Sequence, residues 1–396
     1  MDIYMWNNQN WMYNIDAYNQ ARAAQQEDTS NSPRYSEVTE FTEDHATSYG
    51  QAGSLSPELA ALSLQPSPPS AANSSRTSRS RLGSLFGRTS GSREFRSSSE
   101  TPNRLPGPST SLDWEEQSLV GAARWPSMYN QSHTDENKDY CRSMYRSSRE
   151  AGSRIASGQI NSFSELWNCA TEWRLGRLSY NAPGREAFAT QREAGSVFNT
   201  KLDMQYASII PMIISNSKSK RKRYGGPYLS GIECKVYKQK GKIHGQEIPL
   251  NELWAAIDQR QVAVKLQEVY NQDVDFEVLE DTLQRNHPNN IVHTNARYLS
   301  VIKGHLEQLF NQAKSPLRKR EALDLIARIH WWAASAAPDM RGSAAKAEFA
   351  ARALANAHGI EFPPFRDGIV PDIEAMLSSE KNFVERYSSF MERRPS

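Results

Sequence analysis

The sequence predicts a mainly helical α+β fold, and three observations lead to it. Apolar residues recur at helical spacing through most of the chain after residue 110, and the period changes to that of strands between residues 197 and 272. The first quarter carries too few apolar residues to form a core. We therefore predict a disordered leader, residues 1–110, and a folded body, residues 111–396. The body comprises a main helical lobe, 111–196 and 273–396, and an inserted smaller lobe, about 197–272.

The leader is dominated by Ser, Pro, Thr, Gly, Arg and Glu between Glu27 and Pro108, a composition that cannot offset the entropy lost on ordering. It lacks the apolar centre of a cleavable secretory peptide, and no run of the chain approaches the ~20 apolar residues of a membrane-spanning helix. The formal net charge of +2 does not suggest a nucleic-acid partner. Cys141, Cys169 and Cys234 are predicted to be free thiols in a reducing compartment.

The body begins with two predicted helices, Asp135–Ile155 and Ser162–Leu178, the second opened by a capping box between Ser162 and Glu165. In the smaller lobe, Ile209–Ile214 and Cys234–Gln239 read as strands, and Lys242–Pro249 reads as a turn that leads into a short strand. The remaining segments read as helices: Gln261–Asn286, Ala296–Ala313, a helix that starts at Ser315-Pro316 and ends at Pro338-Asp339, Gly342 to about Asn356 with a left-handed cap at Gly359, and Ile373–Phe390.

The junction between the last two long helices is the first place where chemistry is predicted. Arg341 directly precedes the main-chain N–H groups of Gly342, Ser343 and Ala344. A helix N-terminus attracts anions, and a guanidinium matches the geometry of phosphate or carboxylate. One interpretation is a seat for a phosphate or diphosphate; the alternative is that Arg341 pairs with Asp339 or another surface acid.

Two other features have a plain structural interpretation beside a functional one. The basic run Lys218–Arg223 is either an import signal or anionic-surface patch, or a solvated loop between strands. His330 is either a catalytic base or a histidine of the core, and the core interpretation is favoured because the residue lies on an apolar helical face. No Walker loop, dinucleotide fingerprint, HExxH or CxxC pair is present, and no metal site is predicted.

The folded body resembles a known family over about Ser118 to Tyr387. The segments that carry the resemblance are His330–Ser335, Arg341–Ala351, His358–Arg366, Gly121–Pro126, Tyr140-Cys141, Ser143–Tyr145, Ala170–Leu175, Lys235–Tyr237, Ile248–Leu250 and His293–Ala296. They are similar to the AvrB avirulence proteins of plant-pathogenic bacteria. The resemblance implies a bilobed protein with a Fic-like helical core, secreted by a type III system into plant cells.

The activity that the resemblance implies is a glycosyltransferase reaction, the transfer of rhamnose from UDP- or dTDP-rhamnose to a threonine of a host immune regulator. That partner is a membrane-associated plant protein with nitrate-induced-type segments. Two alternatives stay open: an ADP-binding interaction module that grips the regulator and recruits a host kinase, and adenylyl transfer. Adenylyl transfer is ranked last of the three, because the Fic phosphate loop is missing after His330. Fold alone does not decide among them.

Site residues follow from the resemblance position by position. Arg341, with Gly342 and Ser343, matches the nucleotide-sugar pocket, Asp372 matches an aspartate needed for activity, and Thr200 matches a threonine that lines the same cleft. His293 and Arg285 match positions of the cleft wall and partner peptide. Many members begin Met-Gly-Cys and are acylated at the plasma membrane, whereas this chain begins Met1-Asp2-Ile3, so acyl anchoring is not predicted.

Overall fold

A computed structural model describes residues 104–108, 111–122, 134–182, 184–193, 198–202, 206–272, 274–366 and 368–392. All of them belong to one compact unit of the chain. The predicted leader lies outside the described residues apart from residues 104–108. The division of the folded body into a main and a smaller lobe also stays a prediction.

The described residues contain eleven α-helices and five strands. The helices are α1 Trp114–Gln117, α2 Asp135–Ala156, α3 Phe163–Gly176, α4 Ile209–Ser215, α5 Gln259–Tyr270, α6 Phe276–Arg285, α7 Leu299–Ala313, α8 Lys319–Ala336, α9 Ser343–Ala357, α10 Pro371–Met376 and α11 Glu380–Arg386. Short 3₁₀ turns cover Glu186–Phe188, Ala296–Tyr298 and Tyr387–Phe390. The fold is thus mixed and mainly helical, as the sequence predicts.

The five strands form one antiparallel sheet in the order β1-β5-β4-β3-β2. They are β1 Asn199–Lys201, β2 Lys220–Arg223, β3 Glu233–Ile243, β4 Gln246–Ala256 and β5 Asn290–Val292. A tight turn at His244-Gly245 joins β3 to β4, and both of its residues have positive φ, 50° and 82°. Such a turn matches the right-handed twist of the flanking strands.

Each face of the sheet packs against helices because the strands alternate in side-chain direction. On one face Tyr237, Leu253, Ala255 and Ile291 pack with apolar residues of α4 and α10. On the other face Cys234, Val236 and Ala256 pack with those of α5 and α6. The far end of the β3–β4 hairpin lies on α8: a Cβ at Gly241 would stand 2.3 Å from Cη2 of the buried Trp332, so the backbone can approach the indole only as glycine.

The helical core is organised around α9, in which thirteen of the fifteen residues are buried. Its alanines allow close approach. A Cβ at Gly152 of α2 would stand 2.7 Å from the carbonyl oxygen of Ala353. The prediction of a central alanine-rich helix that closes at the left-handed Gly359, φ +66°, is confirmed.

Other predictions about the body are also confirmed. The helices at Asp135 and Ser162 form, and the Ser162–Glu165 capping box is present. Cys234–Gln239 lies in β3, and the three cysteines are free thiols. His330 is a core residue, 1% exposed, whose Nδ1 lies 2.7 Å from the hydroxyl of Tyr387, and burial lowers its pKa to about 3.

Three segment predictions are wrong. Ile209–Ile214 is a helix and not a strand, because Pro211 falls in its first turn, where a missing N–H costs nothing. The helix predicted from Ser315-Pro316 starts at Lys319, since the N–H of Arg318 finds its capping partner in Glu321 at 3.2 Å. The basic run is not a loop: Lys220–Arg223 forms the edge strand β2.

Three further predictions missed internal breaks or lengths. Gln261–Asn286 is split into α5 and α6, because the Asp275 carboxylate caps a new helix by accepting from the N–H of Glu277 at 2.9 Å. Ile373–Phe390 is split in the same way by Ser379, whose hydroxyl accepts from the N–H of Asn382. The strand after the predicted turn is not short, since β4 spans 11 residues. Within the described residues, no helix has the length and apolarity needed to span a membrane.

Candidate functional site

The site is built at the junction of α8 and α9, where the chain reverses through Pro338–Gly342. Three main-chain hydrogen bonds attach this segment to residues 187–192: Arg192 N to Pro338 O at 2.9 Å, Met340 N to Thr190 O at 2.9 Å and Arg341 N to Ala187 O at 3.0 Å. These three hydrogen bonds fix the backbone of Arg341, and its side chain remains free to meet a ligand.

Gly342 sets the direction in which α9 begins. Its φ is +78°, and an added Cβ would stand 2.7 Å from Cδ1 of Phe188. Both the backbone conformation and the closeness of the ring require glycine at this position. The start of α9 is consequently pressed against Phe188.

The N-terminus of α9 carries positive charge and no side-chain cap. The exposed guanidinium of Arg341 lies 6.0 Å from the centroid of the Phe188 ring, and that of Arg174 lies 4.6 Å from the same centroid. Among the described residues neither arginine forms an ion pair. Two guanidiniums and the free N–H groups of a fifteen-residue helix thus meet around one aromatic ring, an arrangement suited to an anion.

Ser343 contributes to this site through its main chain and not through its hydroxyl. The Ser343 hydroxyl accepts from the N–H of Asp339 at 3.1 Å and lies 3.4 Å from the carbonyl oxygen of the same residue. It is buried and holds the reversal closed. The predicted role in nucleotide-sugar binding would therefore fall to its N–H group.

Asp339 is not the partner of Arg341. Its carboxylate forms a buried ion pair with Lys346 of α9 and accepts a hydrogen bond from the Trp167 indole at 2.9 Å. Lys346 also donates to the carbonyl oxygen of Phe188 at 2.6 Å and to the Thr171 hydroxyl at 3.1 Å. Burial lowers the pKa of Lys346, and the facing Asp339 carboxylate opposes that shift. This cluster ties α3, α9 and the turn of residues 186–188 together. It lies behind the start of α9 with Arg341 and Arg174, which is called the anion seat below.

Arg192 closes the other side of the junction. Its side chain is 3% exposed and donates to three carbonyl oxygens, those of Ala336 at 2.6 Å, Ala337 at 2.7 Å and Thr294 at 2.8 Å. The first two belong to the C-terminal end of α8, where a cation also meets the negative end of the helix dipole. Burial lowers the pKa of Arg192 to about 10, so the side chain stays charged at neutral pH.

Thr200 and His293 are brought together by the pairing of β1 with β5. The Thr200 hydroxyl lies 2.8 Å from Nε2 of His293, whose ring packs on Phe198 with 5.0 Å between centroids. Burial and the nearby Arg192 lower the pKa of His293 to about 3, so the imidazole is neutral at physiological pH. Its Nδ1 is buried and has no hydrogen-bond partner among the described residues.

Arg285 lies beside this pair and not at the junction. It ends α6, its exposed guanidinium pairs with Asp281 at 2.9 Å, and its carbonyl oxygen accepts from the Asn199 side chain at 2.7 Å. Asn199 precedes Thr200 in β1. The three residues Thr200, His293 and Arg285 therefore share one neighbourhood around β1, which Arg192 connects to the junction.

Asp372 stands in the first turn of α10, as its position after Pro371 predicts. Burial raises its pKa to about 6, the N–H groups of Asp372 and Ile373 counteract the rise, and the negative charge of Glu348 adds to it. Glu348 itself pairs with Arg352 at 2.7 Å. Tyr140 interacts with both Glu348 and Arg174, and burial raises its pKa.

Helix geometry gives the scale of this arrangement. Glu348 follows Ser343 by five residues, or about 7.5 Å along the α9 axis. Glu348, whose charge adds to the raised pKa of Asp372 in α10, therefore lies on the same helix as the cationic end.

Sequence reasoning missed five residues that shape this site: Lys346, Arg192, Glu348, Phe188 and Arg174. One of them had a usable signal. Lys346 is the single lysine of an alanine-rich helix predicted to be buried on all sides, and a buried lysine must have an acidic partner. The other four depend on contacts between distant segments.

Comparison with known proteins identifies a family and a relative of this chain. The AvrB_AvrC family, described as avirulence protein, matches residues 68–394. The chain is 46% identical over 301 residues to avirulence protein B of Pseudomonas savastanoi pv. glycinea, an alignment that covers 75% of this chain and 94% of that relative.

Proposed function

This chain belongs to the AvrB_AvrC family of avirulence proteins, and we propose that it acts inside plant cells as a type III secreted effector with glycosyltransferase activity. The reaction is the transfer of a deoxyhexose, rhamnose, from UDP- or dTDP-rhamnose to a threonine of a host immune regulator. The observation that carries the proposal is the N-terminus of α9, which has no side-chain cap, with the guanidinium of Arg341 beside it, which forms no ion pair with a described residue.

The anion seat fits the leaving group of this reaction. When the bond between the anomeric carbon and the diphosphate oxygen breaks, its electron pair stays on the diphosphate, which gains negative charge. Arg341, Arg174 and the N–H groups of Gly342 and Ser343 are placed to stabilise that charge, and preorganised donors of this kind are worth about 10²–10³ in rate each. Phe188 offers a ring face beside them.

Asp372 supplies the group that the other half of the reaction needs. The acceptor hydroxyl must lose its proton as its oxygen bonds to the anomeric carbon, and a carboxylate with a pKa of about 6 is a suitable base at neutral pH. Thr200, His293 and Arg285 form the wall on which the acceptor segment would lie. Because His293 is neutral, it contributes a hydrogen bond and not a charge.

A second proposal, the non-catalytic interaction module that recruits a kinase, is favoured by one observation. The Thr200 hydroxyl and the Ser343 hydroxyl are both engaged within the protein, so neither is available as a nucleophile or a base. Adenylyl transfer through His330 is not proposed, since that imidazole is buried and bonded to Tyr387.

Intact-mass analysis of a host-regulator peptide tests these proposals. The full-length chain is incubated with the peptide and with UDP-rhamnose, dTDP-rhamnose or ATP in separate reactions. We expect one deoxyhexose to be added with a nucleotide sugar, and its loss in Arg341→Ala. Arg320→Ala, an exposed arginine near the start of α8, is the matched control and should keep full activity. An unmodified peptide that still binds would support the interaction module, and an added AMP would contradict both.

A further inference from the structure

Strand β2 forms an open edge of the sheet with an unusual composition. Its four residues, Lys220, Arg221, Lys222 and Arg223, are all exposed, and among the described strands it pairs only with β3. Lys218 lies just before it, so five of six consecutive residues are cationic. Edge strands expose main-chain donors and acceptors, and this one surrounds them with positive charge.

The register shows which main-chain groups of β2 are open. The carbonyl of Glu233 accepts from the N–H of Ile257 at 2.9 Å, so Glu233 of β3 turns its main chain toward β4. Its neighbour Cys234 therefore turns toward β2, where it lies opposite Lys222. Because hydrogen-bonding direction alternates along an antiparallel strand, the N–H and C=O groups of Arg221 and Arg223 point away from the sheet.

Arginine and lysine are divided accordingly along the strand. Both residues whose main-chain groups face outward are arginines, and both residues that bond to β3 are lysines. A guanidinium binds a carboxylate with two parallel hydrogen bonds, which an ammonium cannot do. The open positions thus combine a main chain ready for pairing with the cation best suited to a carboxylate.

The charge of β2 is not neutralised by the fold, in contrast to the charge on the neighbouring strands. On the β3–β4 pair, Lys240 is matched with Glu247 at 2.6 Å, and Lys238 is likewise matched with Glu252. Within the described part of the chain, the one ion pair of β2 is a loose contact of Arg221 with Glu233 at 3.8 Å. One or two lysines suffice to guard an edge against unwanted pairing. A run of five like charges adds repulsion that such protection does not need.

We propose that the open edge of β2 binds an acidic segment of a partner protein, which adds to the sheet as a sixth strand. The partner segment is extended, carries an acidic residue at every second position, and places these residues opposite Arg221 and Arg223. Cross-strand neighbours are separated by about 5 Å, within reach of an ion pair. Main-chain hydrogen bonds supply the affinity and the alternating acids supply the selectivity.

The outward-facing N–H and C=O groups of β2 favour a peptide over an anionic lipid surface as the partner. A membrane would meet the same charges but would make no use of alternating donors and acceptors at Arg221 and Arg223. The two partners are therefore distinguishable by changing the main chain while the charge is kept.

Fluorescence anisotropy of the full-length chain with a labelled peptide that alternates glutamate with valine or threonine tests the proposal. We expect binding that weakens as salt is raised. Replacing both arginines, Arg221→Gln with Arg223→Gln, should weaken binding by about tenfold or more. The matched pair Lys238→Gln with Lys240→Gln, on the interior strand β3, should change it less than about twofold.

Main-chain pairing is tested separately with the same peptide methylated on alternate main-chain nitrogens, which keeps every charge. We expect about a tenfold loss of affinity, since two hydrogen bonds disappear. Arg221→Pro should also bind more weakly than Arg221→Gln while melting at a similar temperature, because the N–H it removes points outward. Equal binding of the methylated and unmodified peptides would overturn strand addition. Binding to phosphatidylserine vesicles without binding to the peptide would also overturn it.

Discussion

Two aspartates beside helix α9 are treated in opposite ways by the fold. Asp339 is buried against Lys346 and the Trp167 indole, and its charge is fully matched. Burial raises the pKa of Asp372 to about 6, and the negative charge of Glu348 adds to the rise. The first aspartate holds a turn in place, whereas the second is kept at an energy cost that a structural role would not require. Charges matched within the protein build the frame, and the proposed reaction would use the unmatched ones.

The arginines of the same region repeat the contrast. Arg192 donates to two carbonyl oxygens at the end of α8 and to that of Thr294, and its side chain is buried. Arg341, which lies within the junction itself, is exposed and forms no ion pair with a described residue. If this division is correct, substitutions of charged residues that are paired within the protein should lower its stability. Substitutions of the unpaired ones should lower its activity.

The largest effect on stability is expected from Lys346→Met. It leaves the Asp339 carboxylate buried without its cation, and breaking a buried pair in this way costs about 3–5 kcal/mol. Urea unfolding measures the loss. Lys381→Met, a substitution at an exposed lysine paired loosely with Glu385 at 3.8 Å, is the control and should change stability by less than about 0.5 kcal/mol.

Adding Asp339→Asn to Lys346→Met should cost little more, since the charge that was left unpaired is removed as well. A loss below about 1 kcal/mol for Lys346→Met would show that the cluster does not frame the site.

Asp372→Asn should do the opposite and stabilise the protein while transfer is lost. The pKa of Asp372 is raised in the folded state from 3.8 to about 6, so ionising it costs folding free energy as pH rises through that window. The variant should be more stable by about 3 kcal/mol at pH 7.5, and the advantage should vanish below about pH 4. Thermal melting at several pH values checks this. A variant less stable than the parent at pH 7.5 would place Asp372 in the frame instead.

Gly342→Ala should have an intermediate effect on both stability and transfer activity. The positive φ costs about 1–2 kcal/mol in any non-glycine residue, and the new Cβ also displaces Phe188. Gly158→Ala is a matched control, because its φ is +76° and an added Cβ would have nothing within 4 Å. The difference between the two melting temperatures isolates the Phe188 contact. Identical losses, with transfer unchanged, would mean that the closeness of Phe188 does not position α9.

The smallest effect is expected from Thr200→Val, which removes the hydrogen bond between Thr200 and His293 and should cost about 1 kcal/mol. Thr200→Ser keeps the hydroxyl and should stay within about 0.5 kcal/mol of the parent. Calorimetry of both variants measures the effect on stability, and a peptide-binding assay measures the effect on affinity. A Val variant as stable as the Ser variant would exclude the hydrogen bond as a structural element.

Local signals in the sequence predicted much of the fold. The capping box at Ser162 and Glu165, the alanine content of α9 and Gly359 all act within a few residues, and each element formed where it was expected. Ile209–Ile214 failed because a short apolar run fits a strand or a helix equally well, and tertiary packing against the sheet decided for α4.

The site was predictable only in part. Arg341 and Gly342 could be singled out because a helix start has a local pattern. The partners Lys346 and Asp339 could not be paired from spacing alone, and Arg192 and Glu348 act on segments far away in the chain. The split between matched and unmatched charges therefore becomes visible only when the segments meet.

The reach of Arg192 has a consequence for folding kinetics. Its guanidinium binds carbonyls that are 102, 144 and 145 residues away along the chain. Closing loops of that size is slow and is rewarded only when both ends are already structured. We therefore expect the junction to assemble at the end of folding, after the helices and the sheet. A chain that ends before residue 336 could form α2 and α3 but would have no way to complete the anion seat.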